Sequence, residues 1–219
     1  MYNLENVLNV DVASSVPPGS SILVSGPAMT GKDDLTLDLL ADGAQDGEGA
    51  VVITTGDRAA DVIGDLESRA PEAEAHQFAT VDCRAEGSRT DDELDSGAYV
   101  YRVGSPSDLT GMGIGITQSF ERLRDAGHDR TRLALSSLST MLTYSDRQTI
   151  FKFCHVLSSR LDSTGYLGFF TVDSSAHDDQ TLQVLKQAFD GLVEIREVEG
   201  SRQARVRGLR PDPSDWADL

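Results

Sequence analysis

Lysine is nearly missing from this sequence: in 219 residues it stands only at Lys32, Lys152 and Lys186, and arginine supplies the rest of the positive charge. Acidic residues number 36 against 19 basic ones, a net charge of −17, spread along the chain instead of gathered in a tail. A surface of that sign repels nucleic acid and anionic membranes, which argues against both as partners. Cysteine is equally scarce. Cys83 and Cys154 fall in different elements without metal-ligand spacing, so they read as buried small hydrophobes in a reducing compartment. No apolar run approaches membrane-spanning length, and the polar start Met1-Tyr2-Asn3-Leu4-Glu5-Asn6 has no signal-peptide pattern, so a cytoplasmic protein is expected. Aromatic content is modest, and aspartate outnumbers glutamate. Together these features predict adaptation to a salt-rich cytoplasm, where charge repulsion is screened.

What the chain does have is an alternation of apolar runs and helical stretches, in a length that suits one domain. Short β-branched runs are expected as strands at 21–25, 50–54, 78–83, 99–103, 133–135 and 167–172. Helices are expected after position 32, over about 59–69, up to about 126, over about 147–161 and over about 179–189. The end reads as two strands, 192–198 and 203–206, joined at Glu199-Gly200-Ser201. That order implies an α/β fold with a mostly parallel sheet, helices on both faces and a C-terminal antiparallel hairpin. Residues 1–210 form the expected domain, 84–97 an acidic mobile loop and 211–219 a tail. Gly111-Met112-Gly113-Ile114-Gly115-Ile116 lacks a preceding strand and a lysine, so it reads as a close-packed helix start. The four histidines, His76, His128, His155 and His177, are scattered, and none is expected to pair with a nucleophile.

The chemistry concentrates at Gly26-Pro27-Ala28-Met29-Thr30-Gly31-Lys32-Asp33, which follows a strand and opens a helix. Glycines there let backbone N–H groups turn around phosphate oxygens, the helix adds its positive end, and Lys32 balances the outer phosphates. Gly26, Thr30, Gly31 and Lys32 are therefore candidate nucleotide-binding residues. A hydroxyl normally follows the lysine and ligates Mg²⁺; here the residue is Asp33. At about 4 Å from a phosphate charge, with an effective dielectric near 20, a carboxylate is repelled by roughly 4 kcal/mol per unit charge unless a metal lies between. Asp33 either ligates the cation or weakens nucleotide binding, or it serves with Asp34 to satisfy the helix N-terminal dipole.

Four further pieces carry a resemblance. Pro18-Gly19-Ser20-Ser21-Ile22-Leu23-Val24-Ser25-Gly26 runs into the loop, Leu133-Ala134-Leu135-Ser136-Ser137-Leu138-Ser139 follows a buried strand, and Phe189 to Arg196 and Arg205-Val206-Arg207-Gly208 close the chain. With these the sequence resembles the KaiC-like branch of the RecA superfamily of P-loop ATPases, of halophilic-archaeal type, over nearly its whole length. The resemblance implies a RecA-like fold, ATP or another nucleotide as ligand with Mg²⁺, and protein partners that include further copies across a RecA-like interface. It also implies that Arg205 and Arg207 match a basic strand reaching a neighbour's phosphates. A solvated strand edge explains the two arginines equally well.

Three departures fall where the family does its chemistry. The aspartate expected at the end of the Walker B strand is Ser136, the glutamates expected after Val51-Val52-Ile53 are Thr54-Thr55, and Asp33 is the third. The first acid after that strand is Asp57, the candidate base, displaced and shorter than glutamate. Loss of a general base alone costs about 10²–10⁴-fold, on the order of 3–5 kcal/mol. The sequence thus points to a degenerate ATPase with a regulatory or signalling role. The alternative is a slow Mg-dependent ATPase with Asp33 as substitute metal ligand and Asp57 as base; a recombination accessory role on DNA ranks last, against the charge.

Overall fold

A computed structural model describes residues 1–84 and 90–219. The strands are β1 Ser21–Gly26, β2 Gly49–Thr54, β3 Phe78–Asp82, β4 Thr90–Glu93, β5 Tyr99–Arg102, β6 Thr131–Ser136, β7 Leu167–Asp173, β8 Gly191–Val198, β9 Ser201–Arg207 and β10 Ala217–Asp218. The helices are α1 Glu5–Leu8, α2 Lys32–Gln45, α3 Ala59–Arg69, α4 Leu109–Asp125, α5 Leu138–Tyr144, α6 Arg147–Thr164 and α7 Asp179–Lys186.

The strands join one sheet in the order β10-β9-β8-β1-β7-β6-β2-β3-β5-β4. Pairing is parallel from β8 through β5 and antiparallel for β9, β10 and β4 at the edges. Side chains alternate between two cores, as the two-residue period of a strand demands. Ile22, Val24 and Val52 pack with Leu35 and Leu39 of α2 and Ile63 and Leu66 of α3. Leu23, Val51 and Ile53 pack on the other face with Met112 and Ile116 of α4, Met141 of α5, Leu157 of α6 and Leu185 of α7. Burial on both faces is why the central strands read as unbroken apolar runs.

The abundant aspartates have a local use. Asp108, Asp146 and Asp178 each accept the backbone N–H three residues on and so cap α4, α6 and α7. Gly111 and Gly115 sit on the buried side of α4, the close-packed helix start expected from the sequence; a Cβ on Gly115 would lie 2.5 Å from Tyr101 Cδ1.

Three elements depart from expectation. Thr90–Glu93, read as loop, is an exposed edge strand paired with Tyr99–Arg102; residues 85–89 lie outside the described residues. The turn after Ser136 continues into α5, capped by Ser137, whose Oγ accepts from Thr140 N. The C-terminal tail contributes β10, with Ala217 opposite Ala204 and Asp218 opposite Gln203. No helix among the described residues is long and apolar enough to cross a membrane.

Candidate nucleotide site

The loop 26–33 leaves the carboxyl end of β1 and enters α2, where the parallel strands β1, β7 and β6 all end. Gly31 precedes the helix with φ +73°, a left-handed conformation that suits glycine. The tip is exposed, with Met29 outermost at φ 62°. Thr30 Oγ1 and Lys32 Nζ both donate to the Pro27 carbonyl, at 2.8 and 2.6 Å, and fold the loop around itself. Ala28 N–H donates to Ser175 Oγ at 3.3 Å. Among the described residues, the N–H groups of Met29, Thr30 and Gly31 donate to nothing else in the chain, so they remain free for phosphate oxygens. These donors fit the phosphates of a nucleotide.

Lys32 is 8% exposed, and burial lowers its pKa from the usual 10.5 while the carboxylates of Asp173 and Asp33 act in the opposite direction. Asp173, at the end of β7, escaped the sequence reading. Burial acts to raise its pKa, but hydrogen bonds from Ser175 Oγ and N–H and the Lys32 charge hold it below the usual carboxylate value.

Asp33 is held from two sides. Its Oδ1 accepts Ser136 Oγ at 2.7 Å and Thr171 Oγ1 at 3.0 Å, and these are the hydrogen bonds of the Asp33 side chain among the described residues. Because β7 lies between β1 and β6, Thr171 bridges the loop helix and the Leu135 carbonyl, to which it also donates at 3.4 Å. The hydroxyl and the carboxylate that the resemblance places on the loop and on β6 stand the other way round here, and the two side chains are hydrogen-bonded. The neighbouring acid, Asp34, lies against Arg69 at 2.9 Å.

The threonines standing where the resemblance places glutamates are engaged structurally. Thr54 Oγ1 donates to the Asp57 carbonyl at 3.0 Å and accepts its N–H at 2.9 Å. Thr55 Oγ1 donates to the Ser136 carbonyl at 2.9 Å and accepts Ser137 N–H at 3.0 Å, across a cis Ser136–Ser137 peptide. Asp57 does share space with the loop: Asp33, Thr54, Asp57 and Ser136 line one narrow cleft of about 30 Å³.

Arg205 and Arg207 are not brought to the loop of their own chain. Arg205 donates through Nε and Nη2 to Glu194 Oε2 at 3.0 and 2.6 Å, and Arg207 approaches the same oxygen at 3.7 Å. The Trp216 ring lies 4.7 Å from the Arg205 guanidinium and 3.9 Å from that of Arg196. The arginine that does reach the loop is Arg202, whose guanidinium packs on Gly31. The alternation Arg202-Gln203-Ala204-Arg205-Val206 carried the signal: Ala204 and Val206 are buried on the α2 face, so Arg202 shares that face and Arg205 does not.

His177 corrects an expectation. Its Nε2 is 2.9 Å from Ser139 Oγ, which also accepts Asp173 N–H at 2.9 Å. No carboxylate is hydrogen-bonded to its Nδ1 among the described residues, so the pair lacks the orienting acid of a nucleophile triad and ties β7 to α5 instead. Cys83 and Cys154 are buried free thiols; burial pushes Cys154 up to about 12.

Sheet order and the terminal antiparallel hairpin together give a RecA-like α/β fold of KaiC-like type. A KaiC-like protein from the hyperthermophilic archaeon Pyrococcus horikoshii OT3 has a similar structure, with a TM-score of 0.64 at 15% identity over 99% of this chain and 88% of that one. Residues 19–195 match the model of a family described as "Family of unknown function (DUF7504)", and the chain belongs to that family. No curated protein matches the sequence.

Proposed function

We propose that this chain is a cytoplasmic nucleotide-binding regulatory protein that hydrolyses ATP weakly or not at all and signals through protein partners. The observation that carries this reading is the exchanged pair Asp33 and Ser136, hydrogen-bonded at 2.7 Å. An ATPase of this fold needs a hydroxyl on the loop and a carboxylate on the strand to hold Mg²⁺ and its waters. Here Asp33 brings a negative charge toward the phosphates, Ser136 cannot supply one, and Thr54 and Thr55 offer no base. The loop's free N–H donors and buried Lys32 still support phosphate binding. The acidic, lysine-poor surface supports work in a salt-rich, halophilic-archaeal cytoplasm. Self-association through a RecA-like interface is part of the reading, although use of Arg205 and Arg207 on a neighbour would first require breaking their pairing with Glu194.

Calorimetric titration of ATP and Mg²⁺ in high salt is expected to show binding by the wild type and none by Lys32→Ala, with equally negligible phosphate release by both. Saturable hydrolysis abolished by Lys32→Ala would overturn the proposal.

One observation favours a second reading. Asp33 and Asp57 line the same cleft, so a slow ATPase with Asp33 on the metal and Asp57 as base has both carboxylates at hand. It predicts that Asp33→Thr does not raise hydrolysis, and a rate increase in that variant excludes it.

A further inference from the structure

We propose that Arg202 is a phosphate-contacting residue acting within its own chain, in place of the two arginines that the resemblance assigns to a neighbour's site. The inference rests on the reading that loop 26–33 binds a nucleotide, and it adds which cation completes the site.

Three observations converge on Arg202. The first is position: a Cβ built on Gly31 would collide with Arg202 Nη1 and lie 3.3 Å from its Cζ, so the guanidinium rests directly on the glycine that precedes Lys32. The second is availability. Arg205 is paired with Glu194 and Arg207 lies 3.7 Å from the same carboxylate, whereas the Arg202 guanidinium makes no ion pair or hydrogen bond among the described residues. A cation without a carboxylate among the described residues, in a chain with 36 acidic residues, stands beside a loop whose backbone N–H groups at Met29, Thr30 and Gly31 also lack partners.

The third observation is support. Arg202 lies close to the turn of the β8–β9 hairpin, where Glu199 and Gly200 both have positive φ, 52° and 82°. From the other side, β10 clamps this end of β9: the Arg202 carbonyl accepts Leu219 N–H at 2.9 Å, and Asp218 Oδ1 accepts Gln203 Nε2 at 3.0 Å and Ser201 Oγ at 3.3 Å. The backbone beneath the guanidinium is thus fixed before any ligand arrives, and a planar, permanently charged fork is well suited to phosphate oxygens.

The experiment is calorimetric titration of ATP and of adenosine into the wild type, Arg202→Ala, Arg202→Lys, Arg205→Ala and Lys32→Ala, with melting temperatures measured without ligand as the folding control. Arg202→Ala is expected to weaken ATP binding about tenfold or more, the scale of a lost charge-assisted hydrogen bond. The same variant leaves adenosine affinity and the ligand-free melting temperature unchanged, Arg202→Lys recovers part of the loss, and Arg205→Ala stays within about twofold of the wild type. If ATP binds in a Lys32-dependent way and Arg202→Ala is neutral or tighter, Arg202 is a bystander or a plug, and this inference alone falls. If the wild type does not bind ATP, the nucleotide reading falls and takes the inference with it.

Discussion

At Asp33 and Ser136 the carboxylate of a hydrogen-bonded pair stands on the loop and the hydroxyl on the strand. Ser136 Oγ donates to Asp33 Oδ1 at 2.7 Å, so the negative charge of the pair lies at the start of α2 and not at the end of β6. Lys32 carries a desolvation cost to stability. Burial lowers its pKa from 10.5, so the folded protein disfavours the ammonium. That cost is present in full below the lowered pKa and is relieved as pH rises through it toward 10.5. Lys32→Met is accordingly expected to raise the melting temperature of the ligand-free protein by about 1–4 °C near neutrality, as removal of a function-bearing strain does. Thermal scans from pH 7 to 10 should show that advantage shrinking, and a destabilised variant at pH 7 would contradict the account.

Elements differ in how far their own residues specify them. Two glycines of α4 make the point within one helix: Gly113 faces open space, while a Cβ on Gly115 would meet Tyr101 and Val81 at 2.5 and 3.0 Å. Gly113→Ala should therefore stabilise by about 0.5–1 kcal/mol through helix propensity, and Gly115→Ala should destabilise by about 1–3 kcal/mol through overpacking. Denaturant titration of both variants checks the opposite signs. The central strands were legible because burial on both faces demands continuous apolar runs such as Ala50-Val51-Val52-Ile53. β4 was not, since Thr90-Asp91-Asp92-Glu93 has no apolar face and is a strand only because Tyr99–Arg102 offers it an edge. β10 and α5 are likewise made by context, the one by pairing with β9 and the other by the Ser137 cap.

At the scale of the molecule, a net charge of −17 makes the folded state repel itself, and salt is the remedy. Raising KCl from about 0.1 M to about 1 M shortens the screening length from about 10 Å to about 3 Å. The melting temperature should rise on the order of 5 °C over that range, and a flat or falling profile would remove the halophilic reading. Not every charge is exposed to that screening. Arg132 is 1% exposed and donates to Glu48 Oε2 at 2.6 Å and to Asp42 Oδ2 at 3.1 Å, a buried network that salt reaches poorly. The sequence by itself determined the α/β class, the loop motif at 26–33 and the three positions that depart from the resemblance, because apolar periodicity and a contiguous motif are local properties. Only the tertiary structure decided that Asp33 meets Ser136 and Thr171, that Asp173 faces Lys32, and that Arg202 rather than Arg205 or Arg207 lies on the loop. Those meetings join residues far apart in the chain, and strand order and side-chain parity, not adjacency, bring them together.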